Sequence, residues 1–165
     1  MKYFTLLLIL FYFALGITSG FYLQDYFHQE EQPLSSFNEQ PHNVPSPYDH
    51  IKENQIHINE GKVEIFLDDR QVSWARFAPT NSMDPVLDST ANSIEIVPRS
   101  PSDIHVGDIV AFTYENSLIV HRVIDIGSHS NGAWYAITKG DNVEKSDPGE
   151  RSFEDIKFIT VGVIY

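Results

Sequence analysis

The sequence predicts a mainly β domain, either a sandwich or a partly closed barrel, that follows a single apolar helix at the N-terminus. From residue 56 to the C-terminus, apolar residues alternate with polar ones, which is typical of strands that bury one face. Turn-forming residues separate these alternating runs, and an uncharged apolar stretch covers residues 3–23. A chain of 165 residues has room for one such domain and its accessory segments.

The apolar stretch has the length and the flanks of a membrane anchor. As a helix, residues 3–23 would span about 30 Å, the thickness of the hydrocarbon core of a bilayer. Lys2 precedes the stretch and Asp25 follows it. Because the cationic end of an anchor stays in the cytoplasm, we expect residues 1–23 to cross the membrane lipid once and the rest of the chain to lie outside.

A second interpretation of this stretch is a cleaved signal peptide, with cleavage after Gly16 or Gly20. Both interpretations export the domain that follows. Gly16 and Gly20 also have the small-xxx-small spacing at which two helices pack closely, so a membrane partner at this face is one hypothesis. The alternative is that they are simply two small residues.

Residues 24–55 are polar and contain few aliphatic side chains. The segment carries four prolines, which are Pro33, Pro41, Pro45 and Pro47. Such a segment buries too little apolar surface to fold alone. We therefore expect a stalk over residues 24–55 and a folded domain over residues 56–165.

Within the folded domain, eight runs have the alternation and the residue types of strands. Short turn sequences such as Asn59-Glu60-Gly61 and Glu115-Asn116-Ser117 separate them. The predicted strands are Ile56–Ile58, Val63–Leu67, Val72–Phe77, Ile94–Val97, Asp108–Tyr114, Leu118–Ile126, Ala133–Thr138 and Ile156–Tyr165.

Composition excludes several classes of function. The net charge of −12 argues against nucleic acid as a partner, because nucleic-acid binding needs a basic face. The chain has no cysteine, so disulfides and cysteine-based metal sites are excluded. The seven histidines have no recognisable metal-ligand spacing, so we expect no metal and no cofactor. They are His28, His42, His50, His57, His105, His121 and His129.

Ser82 is the strongest candidate for chemistry. It lies in the stretch Asn81–Leu87, where Pro85 restricts the backbone and keeps the preceding Asp84 out of the α region. A serine hydroxyl becomes a useful nucleophile only when a base is held against it. Without such a base, the stretch is an ordinary β-turn with a solvated serine.

Three further motifs follow this stretch, and together the four resemble those of type I signal peptidases, in the archaeal and endoplasmic-reticulum branch that uses serine and histidine. The motifs are Ser82-Met83-Asp84-Pro85, Gly107-Asp108-Ile109-Val110, His121-Arg122-Val123 and Lys139-Gly140-Asp141-Asn142. They occur in the order of that family, behind an N-terminal apolar segment. The resemblance implies coiled antiparallel sheets and a membrane-bound serine endopeptidase that cleaves signal peptides from exported preproteins.

The resemblance also assigns the residues around the nucleophile. Ser82 would attack the scissile carbonyl, and its N–H together with the Thr80 hydroxyl would bind the oxyanion. Asn81 stands where the family more often has glycine, and Val86 stands where bacterial members have threonine. The extra side chain of Asn81 changes how closely backbone or substrate can approach, so the oxyanion arrangement departs most from the family pattern.

His121 is the candidate general base, because an apolar strand favours the neutral imidazole that acyl transfer needs. A buried structural histidine is the alternative. Asp141 and Asp147 are both candidates to orient His121. The resemblance favours Asp147, while Asp141 lies in a tight turn that Lys139 would frame.

Two classes of function therefore remain open. The first is a membrane-anchored serine endopeptidase whose substrate lies extended beside the Ser82 strand. The second is a non-catalytic, membrane-tethered β domain that binds extended peptides or partner proteins. A pure binding domain has no need of Ser82, His121 and a carboxylate together. A self-cleaving Ser/Lys repressor-type protease fits less well, since it needs a strand lysine and no membrane helix.

Overall fold

The computed structural model describes residues 44–165, which contain eight strands and three short 3-10 turns. The predicted mainly β class is confirmed, and each strand lies within two residues of its predicted bounds. The strands are β1 (Ile56–Asn59), β2 (Lys62–Ile65), β3 (Val72–Arg76), β4 (Asn92–Ile96), β5 (Ile109–Tyr114), β6 (Ser117–Ser128), β7 (Trp134–Lys139) and β8 (Ile156–Ile164).

Part of the sequence-based interpretation concerns residues outside this range. The expected anchor over residues 1–23, the Gly16/Gly20 pair and the first part of the expected stalk all lie outside the described residues. No helix within residues 44–165 is long and apolar enough to cross a membrane.

All strand pairs are antiparallel, and they form two sheets. β1 and β2 make a hairpin of their own, while the other six strands pair in the order β3-β4-β8-β5-β6-β7. Exposure alternates along the edge strand β3, where Ser73 and Ala75 are half-buried, but the apolar Val72 and Trp74 lie on its exposed face. The central strand β5 is different, because its first four residues are all buried.

Tight two-residue turns set the register of two hairpins. Asn59 pairs with Lys62 and Tyr114 pairs with Ser117, so Glu60-Gly61 and Glu115-Asn116 are the connecting loops. Gly61 has φ of 71°, a left-handed conformation that glycine adopts without steric cost. The β5–β6 register places Val110 opposite His121.

The apolar core has two parts. The larger cluster packs around β5 and β8; its fully buried members include Val110, Phe112 and Ile159. The smaller cluster consists of Met83, Leu87 and Ile109, with Phe77, Val86, Val120 and Val163 packed against it. Because Met83 and Leu87 flank the Ser82 turn, this smaller cluster holds that turn against the sheet.

The described part of the expected stalk contacts the domain. Arg122 donates to the carbonyl of Pro45 at 3.1 Å, and the Tyr48 N–H donates to Asp108 at 2.9 Å. Gly107 has φ of 102°, and a Cβ at this position would lie 1.9 Å from the carbonyl oxygen of Ser46. Residues 44–50 are therefore seated on the loop that precedes β5.

Candidate active site

The turn that carries Ser82 is held by the packing of Met83 in the core and by hydrogen bonds to the Gly140–Asn142 loop. Met83 is buried beneath it, and Asn81 has a left-handed φ of 60° that brings Ser82 to the surface of the turn. The N–H of Asn142 donates to the Ser82 carbonyl at 2.9 Å, and the Asn142 side chain donates to the Asn81 carbonyl at 2.9 Å.

Gly140 is what allows this second loop to approach so closely. A Cβ at Gly140 would lie 2.6 Å from the Ser82 carbonyl oxygen and 3.0 Å from Nε2 of His121. Both distances are shorter than ordinary contacts, so a side chain at this position would push the two loops apart. The glycine of the Lys-Gly-Asp-Asn motif therefore has a steric role beside the serine.

The structure brings Ser82 and His121 together, although 39 residues separate them in the sequence. Nε2 of His121 lies 3.1 Å from the Ser82 hydroxyl oxygen. His121 is held in β6, and its side chain is only 12% exposed. This is the distance and the setting that a general base needs to accept a serine proton.

Asp147 completes the set from the opposite side of the imidazole. Its two carboxylate oxygens lie 2.9 and 2.8 Å from Nδ1 of His121. The Thr138 hydroxyl donates to the same carboxylate at 2.7 Å, and the Asp147 N–H donates to the Thr138 carbonyl at 2.8 Å. The carboxylate therefore favours the tautomer with its proton on Nδ1, which leaves Nε2 free to accept from Ser82.

Burial and hydrogen bonding act on the Asp147 carboxyl in opposite directions. Burial raises its pKa, but hydrogen bonds from His121 and Thr138 and the nearby charges of His121 and Arg151 lower it by more. The net result is a pKa below the usual aspartate value. Asp147 is therefore ionised throughout the range in which a histidine acts as a base.

Asp141, the other candidate carboxylate, does not contact His121 through a hydrogen bond in the described structure. It forms a two-point ion pair with Arg122, with Nε to Oδ1 at 2.8 Å and Nη2 to Oδ2 at 2.6 Å. Both side chains are less than one-tenth exposed. The geometry gives Asp141 the task of fixing the Gly140–Asn142 loop and gives the imidazole contact to Asp147.

Thr80 lies close to Ser82, where the resemblance places it. Its hydroxyl is 3.2 Å from the Ser82 hydroxyl oxygen. Within residues 44–165, the Ser82 N–H donates no hydrogen bond to another residue. Lys139, by contrast, contacts the carbonyl of Gly140 at 3.4 Å.

A cavity of about 410 Å³ opens beside Ser82 and His121. Its wall is mostly apolar and comes from the end of β3, the serine turn and the start of β6. The lining includes Ala75, Phe77, Ala78, Met83, Leu87, Leu118 and Ile119, together with the buried carboxyl of Glu95. A cavity of this volume and lining can receive an apolar side chain beside Ser82.

Several supporting contacts of this site were not predicted from the sequence. Arg122 and Asn142 belong to the motifs named above, but no role was assigned to either, and Thr138 was not singled out. Each supports a predicted residue that lies far away in the sequence or on another element. The only available signal was a polar residue at an inward-facing strand position, as at Thr138, which is fully buried. That signal predicts a satisfied hydrogen bond without naming the partner.

Comparison of the chain with protein-family models, curated proteins and solved structures gave no match.

Replacing Asp141 by asparagine should destabilise the domain. The change leaves the buried Arg122 guanidinium without its counter-charge, which costs about 3–5 kcal/mol in comparable buried pairs. The free energy of unfolding of the full chain, measured in detergent with urea, tests this. Asp69→Asn breaks the exposed pair with Arg99 and should change stability little. Equal stability of Asp141→Asn and the natural chain would contradict the assigned role.

Glu95→Gln should stabilise the domain at neutral pH. Burial raises the pKa of Glu95, although a hydrogen bond from Ser93 partly opposes it. A carboxyl with a raised folded-state pKa contributes stability below its unfolded pKa, and this contribution is lost as pH rises through the folded value. The melting temperature of the variant should therefore exceed that of the natural chain at pH 7 and approach it near pH 4.

The matched control is Glu154→Gln, at an exposed position on the same chain. Its melting temperature should follow that of the natural chain at every pH. A Glu95→Gln variant that is less stable at pH 7, with an unchanged pH profile, would show that the ionised carboxylate is favourably bound.

Proposed function

We propose that the chain is a membrane-bound serine endopeptidase that cleaves signal peptides from exported preproteins. One observation carries the proposal: His121 is hydrogen-bonded on both sides. Its Nε2 lies 3.1 Å from the Ser82 hydroxyl oxygen, and its Nδ1 lies 2.8 Å from Oδ2 of Asp147. This is the arrangement in which a serine, a base and an orienting carboxylate carry out acyl transfer. The substrate class rests on the resemblance to type I signal peptidases.

The reaction uses each of the three side chains in turn. His121 accepts the hydroxyl proton at Nε2 as Ser82 Oγ attacks the scissile carbonyl carbon. The imidazolium that forms is stabilised by the Asp147 carboxylate and then gives its proton to the leaving amine. Water next attacks the acyl-serine and gives a proton to His121. The imidazolium returns this proton to Ser82 Oγ as the ester bond breaks and the carboxylic acid product leaves.

The oxyanion of the tetrahedral intermediate would be stabilised by groups on the serine turn. The candidate donors are the Ser82 N–H and the Thr80 hydroxyl, which lies 3.2 Å from the Ser82 hydroxyl oxygen. Removing one such donor from a serine protease slows turnover about 10²–10³-fold. The left-handed Asn81 sets the direction of the Ser82 N–H, so asparagine takes over a backbone conformation that glycine adopts easily.

An extended peptide fits the surroundings of the cavity. β3 is an edge strand of the six-stranded sheet, and its end at Ala75–Arg76 forms one wall. On the other wall, β6 pairs with β7 only from Arg122 onward, so Leu118–Val120 has no strand partner on that side within the described residues. Backbone groups on both walls can pair with a substrate strand, and the apolar cavity can receive a substrate side chain near the cut.

The remaining parts of the proposal concern the setting of the domain. Residues 1–23 would anchor the chain in membrane lipid with the N-terminus in the cytoplasm, and residues 56–165 would act outside. The paired strands would coil into the sandwich or partly closed barrel of signal peptidases. No metal or cofactor takes part in the proposed chemistry.

The second candidate, a non-catalytic domain that binds extended peptides, uses the same cavity and strand edges. It gives no role to the Ser82–His121 contact or to the Asp147 carboxylate behind it. Cleavage of a detergent-solubilised preprotein by the purified full-length chain separates the two. Binding of the preprotein without a new N-terminus would favour the second candidate.

Ser82→Ala and His121→Ala should each abolish preprotein cleavage while leaving the domain folded. Because the two groups act as one unit, each loss should be about 10³-fold or more, and the double variant should be little slower than either. Turnover of the full-length chain in detergent, with circular dichroism on the same samples, measures both properties. His129→Ala, at an exposed histidine paired with Glu150, is the control and should retain activity. Activity within tenfold of the natural chain in either single variant would refute the proposal.

Asp147→Asn should slow turnover about 10⁴-fold, because the amide disfavours the required tautomer and removes the charge that balances the imidazolium. Its stability should change less than that of Asp141→Asn, because the Asp147 side chain is 18% exposed and that of Asp141 is 7% exposed. Turnover and melting temperature of both variants test this pair. An active Asp147→Asn together with an inactive, equally stable Asp141→Asn would reverse the two roles.

In the natural chain, activity should fall at acid pH through one ionisation, that of His121. The pKa of Asp147 lies below its usual value, so this carboxylate stays charged while the base becomes protonated. The pH dependence of kcat/KM, measured on the natural chain and on Glu95→Gln, provides the test, because the Glu95 carboxyl lines the same cavity and its pKa is raised by burial. A second ionisation on the acid limb that persists in Glu95→Gln would contradict the expectation.

A further inference from the structure

A second cluster of side chains with ligand chemistry lies away from Ser82, on the loop that precedes β5. It consists of His50, from the segment before β1, and of His105 and Asp108, which follow the 3-10 turn Pro101–Asp103. One ligand atom from each residue can be chosen so that all three lie within 4.8 Å of one another. We call these three residues the histidine cluster.

The carboxylate at the centre of the histidine cluster is fully buried and held by the backbone. Oδ1 of Asp108 accepts from the Tyr48 N–H at 2.9 Å, and Oδ2 accepts from the His105 N–H at 2.8 Å. These bonds fix the plane of the carboxylate. Both donors suit a carboxylate, and a carboxylate buried away from water favours a cation beside it.

The two ring nitrogens that face this carboxylate are buried and lack hydrogen bonds to any described residue. Nε2 of His50 is 3.0 Å from Oδ1, and Nδ1 of His105 is 3.7 Å from Oδ2. The first contact has the length of a hydrogen bond but not its alignment, since the nitrogen still has no partner by geometry. The in-plane direction of that nitrogen therefore points beside the oxygen.

Distances distinguish the ligands that such a set of atoms can share. Two groups bonded to one water, each at about 2.8 Å, lie about 4.5 Å apart around a tetrahedral centre. Two ligands of a tetrahedral Zn²⁺, at about 2.0–2.1 Å, lie about 3.3–3.4 Å apart. The two nitrogen–oxygen distances end on different oxygens of the carboxylate, 3.0 Å on Oδ1 and 3.7 Å on Oδ2, and both are nearer the value for a metal ion than the value for a shared water.

Aromatic packing holds both imidazoles in place. The Tyr48 ring stacks on His105 with centroids 3.9 Å apart and planes 10° apart, and its edge meets His50 at 5.2 Å. The His50 side chain is 7% exposed, whereas that of His105 is 38% exposed. The site is thus formed before any ion binds, with access for an ion and a water from the side of His105.

We propose that the histidine cluster binds a divalent transition-metal ion, Zn²⁺ above all. Two imidazoles and one carboxylate suit Zn²⁺ and its late first-row neighbours better than Mg²⁺ or Ca²⁺, which prefer sets made only of oxygen. Water would complete the coordination. Because the ligands come from both sides of the long stretch between residues 50 and 105, the ion would fasten residues 44–50 to the β domain.

The location of this site connects it to the support of the active site. Gly107 lies between His105 and Asp108, and its carbonyl accepts from Arg122 at 2.7 Å. The same guanidinium binds the Pro45 carbonyl and the Asp141 carboxylate. A metal ion would therefore stabilise two of the segments that meet at Arg122, those of Pro45 and Gly107, without touching Ser82 or His121.

Metal binding to the full-length chain, prepared in detergent without a histidine tag and stripped with a chelator, tests the proposal. Titration with ZnCl₂ should give one tightly bound ion per chain by elemental analysis, and the melting temperature should rise by several degrees at saturation. Co²⁺ should also bind and give the visible absorption of a low-coordinate nitrogen–oxygen site.

His50→Gln and His105→Gln remove one ligand each and should weaken Zn²⁺ binding at least tenfold to a hundredfold, with loss of the thermal shift. His57→Gln and His129→Gln, at histidines outside the cluster, should bind Zn²⁺ like the natural chain. Loss of the ion in both cluster variants and in neither control supports the proposal.

Three results would overturn it: a natural chain that binds less than one Zn²⁺ at tenfold excess, binding that survives both cluster substitutions, or binding that the controls also lose. If both cluster variants fail to fold by circular dichroism, the titration of the natural chain alone decides, through its stoichiometry and its thermal shift. Preprotein cleavage is not needed for any of these measurements, so the result is independent of the proposed protease function.

Discussion

The buried ion pair between Arg122 and Asp141 is the interaction on which the rest of the structure depends. Arg122 follows His121 in β6, so the two side chains lie on opposite faces of the strand. Through Asp141 the guanidinium fixes the Gly140–Asn142 loop, and through Asn142 that loop fixes the serine turn. One buried ion pair thus connects the strand of His121 to the turn of Ser82. Such a pair costs desolvation, and its value lies in holding one geometry.

The two aspartates near His121 illustrate how similar residues acquire different tasks from their surroundings. Asp141 meets a guanidinium whose two parallel N–H groups match its carboxylate, so its lone pairs are committed to structure. Asp147 meets one imidazole nitrogen and one hydroxyl, and it remains partly accessible. Their positions in the sequence do not distinguish the two aspartates, since both follow β7 within a few residues. What distinguishes them is the partner that each side chain reaches, Arg122 for Asp141 and His121 for Asp147.

Local patterns predicted the strands well, because the alternation of apolar and polar residues is itself the cause of a half-buried strand. The serine and histidine were identified by their motifs, and their meeting is a consequence of the β5–β6 register and of the turn over Met83. What the sequence could not provide were partners brought together only by the fold, such as Arg122 with Asp141. The histidine cluster was missed for the same reason: His50 and His105 are remote in sequence, and only the seating of residues 44–50 makes them neighbours. Spacing rules relate residues that are near one another in the sequence, such as His105 and Asp108, and do not identify a partner as remote as His50.

The unpaired backbone along β3 and the first residues of β6 has a consequence beyond substrate binding. An exposed strand edge does not distinguish a peptide from the edge of another copy of the same chain, so the open cleft is also a template for self-association. β3 carries Trp74 and Val72 on its exposed face, which adds an apolar attraction between copies. The net charge of −12 opposes such contacts by mutual repulsion. Salt screens that repulsion beyond about 8 Å at physiological ionic strength. Self-association of the domain should therefore increase with ionic strength, through the same strand edges that would receive a substrate.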